Sequence, residues 1–241
     1  MCGVCGCGDP EVVSVEVHER VLSSNDRRAN HLRDHFRERG LLAINLMGSP
    51  GAGKTAVLEA TAAACPGRKL GALAGDLATD HDAQRLRAAG IESASITTGS
   101  ACHLDADLVH HALHHFPWTA LDYLFIENVG NLVCPAIYDL GQAANVVALS
   151  VTEGEDKPLK YPVMFKAADL VLITKVDLLP HLPGVRLEAI VDALSRVMPN
   201  PACFPVSART GEGLPRWASW LEQRRHLLRD LVPASTARLV P

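Results

Sequence analysis

"LLAINLMGSPGAGKTAVLEATAAAC", residues 41–65, joins an apolar stretch to a glycine-rich turn and then to a run with helical spacing. Within it, Gly48-Ser49-Pro50-Gly51-Ala52-Gly53-Lys54-Thr55 fits G-x-x-x-x-G-K-[ST], with the strand before and the helix after that this motif requires. The glycines let backbone N–H groups turn inward around a β-phosphate, and the helix N-terminus adds positive potential. Lys54 then reaches the β/γ oxygens and Thr55 ligates Mg²⁺. The segment predicts a nucleotide site between a buried strand and the helix that follows it.

Outward from this loop the same grammar repeats. Short apolar runs occur at 41–47, 69–75, 91–98, 121–127, 144–151, 168–174 and 202–207, and most are separated by segments with helical spacing, among them 55–65, 82–90, 104–116, 185–198 and 214–228. Strands buried on both faces and alternating with helices predict an α/β fold, a mainly parallel sheet flanked by helices. Before the first strand, a helix is expected from Ser23 or Ser24, with Leu32 and Phe36 on one face and Gly40 as its stop. The weakly alternating "EVVSVEV" at 11–17 reads as a short strand or a linker. The expected organisation is a cysteine-rich segment over 1–20, a nucleotide domain over 21–230 and a tail over 231–241.

Carboxylates and a base-reading motif stand at the ends of these runs. Glu127 closes "LFIE", where it can hold Mg²⁺ through water, and Gly130 follows three residues on, where its N–H can sense a γ-phosphate. Asp76 ends the second run and offers a further carboxylate at the same sheet edge, where ligands of such sheets bind. "LITKVD" ends a buried strand with Lys175 and Asp177. A carboxylate there accepts from N1–H and N2–H₂ of guanine, a donor pair adenine lacks. Lys175 lays its stem over the purine, and Ser207 with Ala208 place a backbone N–H near O6. Thr174 occupies the position where Asn is usual, which puts the polar contacts of that amide in question.

Thiols and imidazoles form a second theme. Cys102 and His103 follow the third run, and Cys134 lies four residues after Gly130, so a shift of Gly130 reaches Cys134 through a short tether. Such donors at turns suit Zn²⁺ or Ni²⁺. Cys2, Cys5 and Cys7 concentrate three soft donors in six residues, and ligand type alone does not decide the metal. His110 with His114, and His111 with His115, are helical neighbours that either chelate or make a polar face. Cys65 and Cys203 read as packing residues.

Bulk properties narrow the classes. The 241 residues carry a net charge of −4 with 48% hydrophobic and 21% charged residues, a globular composition without the basic footprint of a nucleic-acid binder. No apolar run is long enough to span a membrane and no secretory leader is legible, so a cytoplasmic protein without membrane association is expected. Seven cysteines, three of them crowded at one end, do not resemble a disulfide framework.

Taken in order, C-x-x-C-G-C, "GSPGAGKT", the "GD" of Asp76, "ACHLDA", "ENVGNLVCP" and "TKVDLLP" closely resemble the HypB family of nickel-inserting GTPases, from Met1 to about Leu221. The resemblance implies a P-loop GTPase of the dimerising SIMIBI class, with GTP/GDP, Mg²⁺ and slow hydrolysis, acting in [NiFe] hydrogenase maturation. It implies a homodimer favoured by GTP, association with a HypA-like zinc/nickel accessory protein and delivery to the hydrogenase large-subunit precursor. By motif match, Cys2, Cys5 and Cys7 form a high-affinity nickel site, and Cys102, His103 and Cys134 a nucleotide-linked Ni²⁺/Zn²⁺ site. Lys54 and Mg²⁺ neutralise developing charge, and Asp76 or Glu127 orients water. The long histidine-rich stretch of some relatives is lacking, so nickel storage is not the expected role. The competing readings are a related GTPase serving urease or a cobalamin enzyme, and a passive nickel/zinc-binding protein.

Overall fold

Seven of the apolar runs form one sheet of parallel strands in a computed structural model that describes residues 10–76, 80–99 and 101–230, with residues 10–21 described by backbone alone. The strands are β1 (Leu42–Met47), β2 (Leu70–Asp76), β3 (Glu92–Thr97), β4 (Tyr123–Glu127), β5 (Ala144–Ser150), β6 (Leu170–Thr174) and β7 (Cys203–Pro205). Their order is β3-β2-β4-β1-β5-β6-β7, and every pairing is parallel. The order reverses direction at β1, which has β4 on one side and β5 on the other. A crevice opens at the carboxyl ends of strands at such a point. Register carries the acidic residue there, because Glu127 stands opposite Leu46 on one neighbour and Ala74 on the other.

Helices cover both faces: α1 (Pro10–Glu38), α2 (Lys54–Ala64), α3 (His81–Ala88), α4 (Ala106–Leu113), α5 (Lys157–Lys160), α6 (Pro162–Lys166), α7 (Leu187–Val197) and α8 (Leu214–Asp230). Alternating side chains of β1 go to opposite cores. Leu42, Ile44 and Leu46 meet Val57 and Leu58 of α2 and Trp217 and Leu221 of α8, whereas Ala43 meets Leu32 and Phe36 of α1 and Val109 of α4. A third cluster joins Val147, Leu149, Val171 and Ile173 to Phe165 of α6 and Ile190 and Leu194 of α7. Trp217 Nε1 donates to Thr61 Oγ1 at 2.9 Å and pins α8 onto α2.

The N-terminal helix differs from its expected form. It begins at Pro10 rather than at Ser23 or Ser24, runs on across residue 20 and absorbs the "EVVSVEV" stretch that reads as a strand or linker. A helix satisfies its backbone groups within itself, whereas a strand there needs a free sheet edge. The helices α5 and α6 escaped the sequence pattern because four and five residues are too few to show a period. Among the described residues no helix is long and apolar enough to cross a membrane.

Candidate functional site

The loop between β1 and α2 takes its shape from glycine. Gly48 adopts φ 145°, and a side chain there would collide with the carbonyl oxygen of Ala148. Gly53, at φ 92°, caps α2, so the helix N-terminus opens on the loop. Lys54 is buried and folds back on its own loop, donating from Nζ to Gly48 O at 3.3 Å and Ser49 O at 3.2 Å. Desolvation lowers its pKa against the opposing pull of Glu127. A phosphate oxygen bound in this loop would offer Lys54 a charged acceptor in place of these two carbonyls.

Beneath the loop, Thr55 Oγ1 donates to Glu127 Oε1 at 2.7 Å, and the second oxygen of Glu127 is buried with no hydrogen-bond partner. Burial pushes Glu127 up to about 7, opposed by the Thr55 hydrogen bond and the Lys54 charge. Pro50, Lys54, Thr55, Asp76, Glu127 and Gly130 line one cavity of about 490 Å³. An orphaned carboxylate oxygen beside a threonine hydroxyl is an all-oxygen donor set, which fits a hard divalent cation such as Mg²⁺. Ser49 Oγ donates to Glu153 Oε2 at 2.5 Å, tying the loop to the end of β5.

Beside this cavity lies a second, of about 460 Å³, lined among others by Thr174, Lys175, Asp177, Ala208 and Arg209. Thr174 Oγ1 donates to Ala52 O at 2.6 Å and Lys175 Nζ to Gly51 O at 2.7 Å. The threonine that stands in place of Asn therefore anchors the phosphate loop to β6. Among the described residues Lys175 is the one non-glycine with positive φ, 58°, a conformation that costs about 1–3 kcal/mol and concentrates at binding sites. Asp177 accepts from Ser207 Oγ at 2.6 Å and from Arg209 Nε at 2.8 Å, and these two donors hold its carboxyl below the usual range. The backbone N–H of Ser207 is committed to Glu212 O at 3.0 Å, so of the expected pair only Ala208 faces the cavity, and Ser207 acts through its hydroxyl.

Cys102, His103 and Cys134 meet in space although 32 residues separate the two thiols. The sulfurs are 3.1 Å apart, Cys102 Sγ lies 3.8 Å from His103 Nδ1, and the three donor atoms fall within 4.8 Å of one another. Two sulfurs on one tetrahedral Zn²⁺ stand about 3.8 Å apart, so a small adjustment seats an ion. His103 stacks on Tyr138 with centroids 3.9 Å apart, and desolvation lowers its pKa, which keeps the imidazole in its metal-binding neutral form.

Short links join this cluster to the phosphate loop. A Cβ on Gly130 would come within 2.8 Å of the Pro50 nitrogen, so the two backbones touch, and Gly48 forms an antiparallel bridge with Asn131. Asn131 Oδ1 accepts from Val133 N at 2.8 Å, one residue before Cys134. On the other side, Asn128 Oδ1 accepts from Val129 N at 3.0 Å and from Leu104 N at 3.1 Å, next to His103. Asn128, Glu153, Arg209 and Tyr138 were not singled out from sequence. Only Glu153 carries a legible signal, the S-x-x-E of Ser150 and Glu153, which forms a capping box here. Cys2, Cys5 and Cys7 lie outside the described residues. Cys65 is buried at the end of α2 and Cys203 is half-buried in β7, both against core residues.

A model of the CobW/HypB/UreG nucleotide-binding domain matches residues 42–201. Hydrogenase maturation factor HypB of Azotobacter vinelandii is 50% identical over 212 residues, 88% of this chain and 70% of that protein. The hydrogenase/urease maturation factor HypB of Helicobacter hepaticus is 43% identical over 216 residues, 88% of each chain. In three dimensions, HypB from Helicobacter pylori in complex with nickel superposes with a TM-score of 0.81 at 38% identity, covering 85% of this chain and 96% of that one. HypB from Archaeoglobus fulgidus superposes with a TM-score of 0.78 at 38% identity, covering 85% of this chain and all of that one.

Proposed function

This chain belongs to the CobW/HypB/UreG family and within it to the HypB hydrogenase maturation factors, and from that premise we propose that it is a GTPase that couples hydrolysis to nickel delivery. The observation that carries the coupling is the contact of Gly130 with Pro50 together with the Gly48–Asn131 bridge, a few residues from Cys134. A γ-phosphate in the first cavity meets Gly130, and any displacement there is passed to the thiol four residues on. Packed segments of this kind shift between discrete arrangements rather than deform continuously.

In this reading the base enters the second cavity, with the Lys175 stem over its face and Asp177 accepting from its two N–H donors once Arg209 has moved. Lys54 leaves the loop carbonyls for the β/γ oxygens. Thr55 and Glu127, with Asp76 at the same sheet edge, would hold Mg²⁺, which would supply positive charge against the phosphates. Asp76 or Glu127 orients the attacking water, and catalysis is positional and electrostatic. Nickel, the cargo, is taken by Cys102, His103 and Cys134, a donor set that also suits Zn²⁺. Cys2, Cys5 and Cys7 are proposed as the tighter nickel site. The proposed partners are a second copy brought in by GTP, a HypA-like accessory protein and the hydrogenase large-subunit precursor, all in the cytoplasm.

A second reading has one observation in its favour, because the Helicobacter hepaticus relative is a factor for urease as well as hydrogenase. Phosphate release and nickel transfer measured with the wild type and Lys54→Ala test the main reading. Loss of both supports it; undiminished transfer by a variant unable to bind GTP rejects the coupling.

A further inference from the structure

Away from the nucleotide and thiol sites, histidines of two helices converge. His31 and His35, one turn apart on α1, have ring centroids 4.3 Å apart and Nε2 atoms 3.1 Å apart. His110 of α4 lies with its ring centroid 6.0 Å from that of His31 and 4.7 Å from that of His114. His35, His110 and His114 share one cleft of about 180 Å³, floored by Leu32 and Leu113 and walled by Trp118. Sequence spacing pointed only to His110 with His114 and His111 with His115. The α1 pair is added by the packing of α1 on α4.

We propose that His31 and His35 of α1, with His110 of α4, form a further metal site that takes a borderline divalent cation, Zn²⁺ or Ni²⁺, through imidazole nitrogen alone. Two nitrogens bonded at about 2.0–2.1 Å to one ion stand roughly 2.8–3.4 Å apart between square-planar and tetrahedral geometry, and the His31–His35 separation falls inside that range. The nitrogens already meet, so the pair loses little side-chain freedom on binding. The cleft also fixes what surrounds an ion. The Glu38 carboxylate stands 4.0 Å from His35 Nδ1, the nitrogen away from the shared Nε2, and a rotamer change brings it within hydrogen-bond reach as the outer carboxylate of a ligand imidazole. The nearby Arg28 is neutralised by Asp107 at 2.7 Å. His110 is half-buried, and a change of its side-chain rotamer carries the ring toward the His31–His35 pair.

The site shares no residue with the proposed nucleotide-linked cluster, so its test is independent of GTP. Zinc equivalents per full-length chain, with Kd values from calorimetry, are compared among the wild type, His31→Gln/His35→Gln and His115→Gln. The wild type is expected to bind one equivalent more than the double variant, or the same number with one Kd at least tenfold tighter, and His115→Gln to match the wild type. Ni²⁺ bound in this cleft also quenches Trp118, whose ring centroid is 6.5 Å from that of His35, and the double variant abolishes this quenching. All three histidines substituted are exposed, so folding is preserved, and circular dichroism verifies it. Equal stoichiometry and affinity in the double variant and the wild type overturn the proposal and leave His31 and His35 as a metal-free hydrogen-bonded pair.

Discussion

Arg209 Nε donates to Asp177 Oδ2 at 2.8 Å, so a cation sits on the carboxylate assigned to guanine. The Arg209 side chain is 75% exposed, and an ion pair this open to water is weak. It therefore acts as a light latch. Arg209→Ala is expected to tighten GDP and GTP up to about fivefold, the scale of an exposed pair, and to speed association. Asp177→Asn loses guanine selectivity instead. Equilibrium binding of GDP against ADP for the two variants checks both, and weaker GDP binding by Arg209→Ala sinks the latch.

A methyl group at position 130 has nowhere to go, because its nearest neighbours are the backbone and ring of Pro50. Gly130→Ala forces the two segments apart at a cost of about 1–3 kcal/mol in overpacking. The substitution removes none of the three donors of the thiol cluster. The expectation is a protein that still binds nickel at Cys134 but whose nickel affinity is the same with GDP and with a non-hydrolysable GTP analogue. Nickel titrations in the two nucleotide states measure it. A preserved difference removes Gly130 from the path between the sites.

The sheet and the phosphate loop were legible because their signals are local. Apolar runs such as 41–47 and 168–174 have strand length, and the glycines with Lys54 and Thr55 permit few other conformations. The stretch 11–17 misled because its valines alternate with polar residues while the segment lies in a helix that continues far beyond it. Cys102, His103 and Cys134 were legible as donors, but their meeting depends on β3 and β4 standing on the same side of β1, a tertiary fact. Nothing local placed Arg209 on Asp177 or Asn128 between two loops. Those contacts are made by chain segments brought together only after the sheet forms.

Glu127 is buried with one oxygen satisfied by Thr55 and the other with no hydrogen-bond partner. Without nucleotide and Mg²⁺ this arrangement costs stability, because a charge or an unpaired oxygen is held out of water. Glu127→Gln keeps the Thr55 bond and removes the charge. At pH 8, with chelator present, the variant is expected to be more stable than the wild type by about 1–2 kcal/mol, a rise in Tm on the order of 5 °C. Added Mg²⁺ and GDP then stabilise the wild type and not the variant, and GTP turnover by the variant falls by at least about 100-fold. Thermal unfolding with and without Mg²⁺ and GDP decides it. A variant less stable than the wild type in chelator contradicts the burial argument.

Asn128 supplies the same oxygen to Leu104 N and Val129 N and gives its amide to Asn45 Oδ1 at 3.1 Å, while Asn45 in turn donates to Asn145 at 3.1 Å. One side chain thus fixes the loop carrying Cys102 and His103 against the turn that leads to Gly130. Asn128→Ala leaves buried N–H groups without an acceptor, each worth about 1–3 kcal/mol, so a loss of roughly 2–5 kcal/mol in unfolding free energy is expected. Because these groups hold His103 near Cys134, nickel affinity at the cluster is expected to fall at least about tenfold, as when an outer-shell partner is removed. Urea unfolding and nickel titration of the same preparation separate the two effects. If stability falls while nickel affinity is unchanged, Asn128 is structural only, and the two loops find their places through the sheet rather than through this amide.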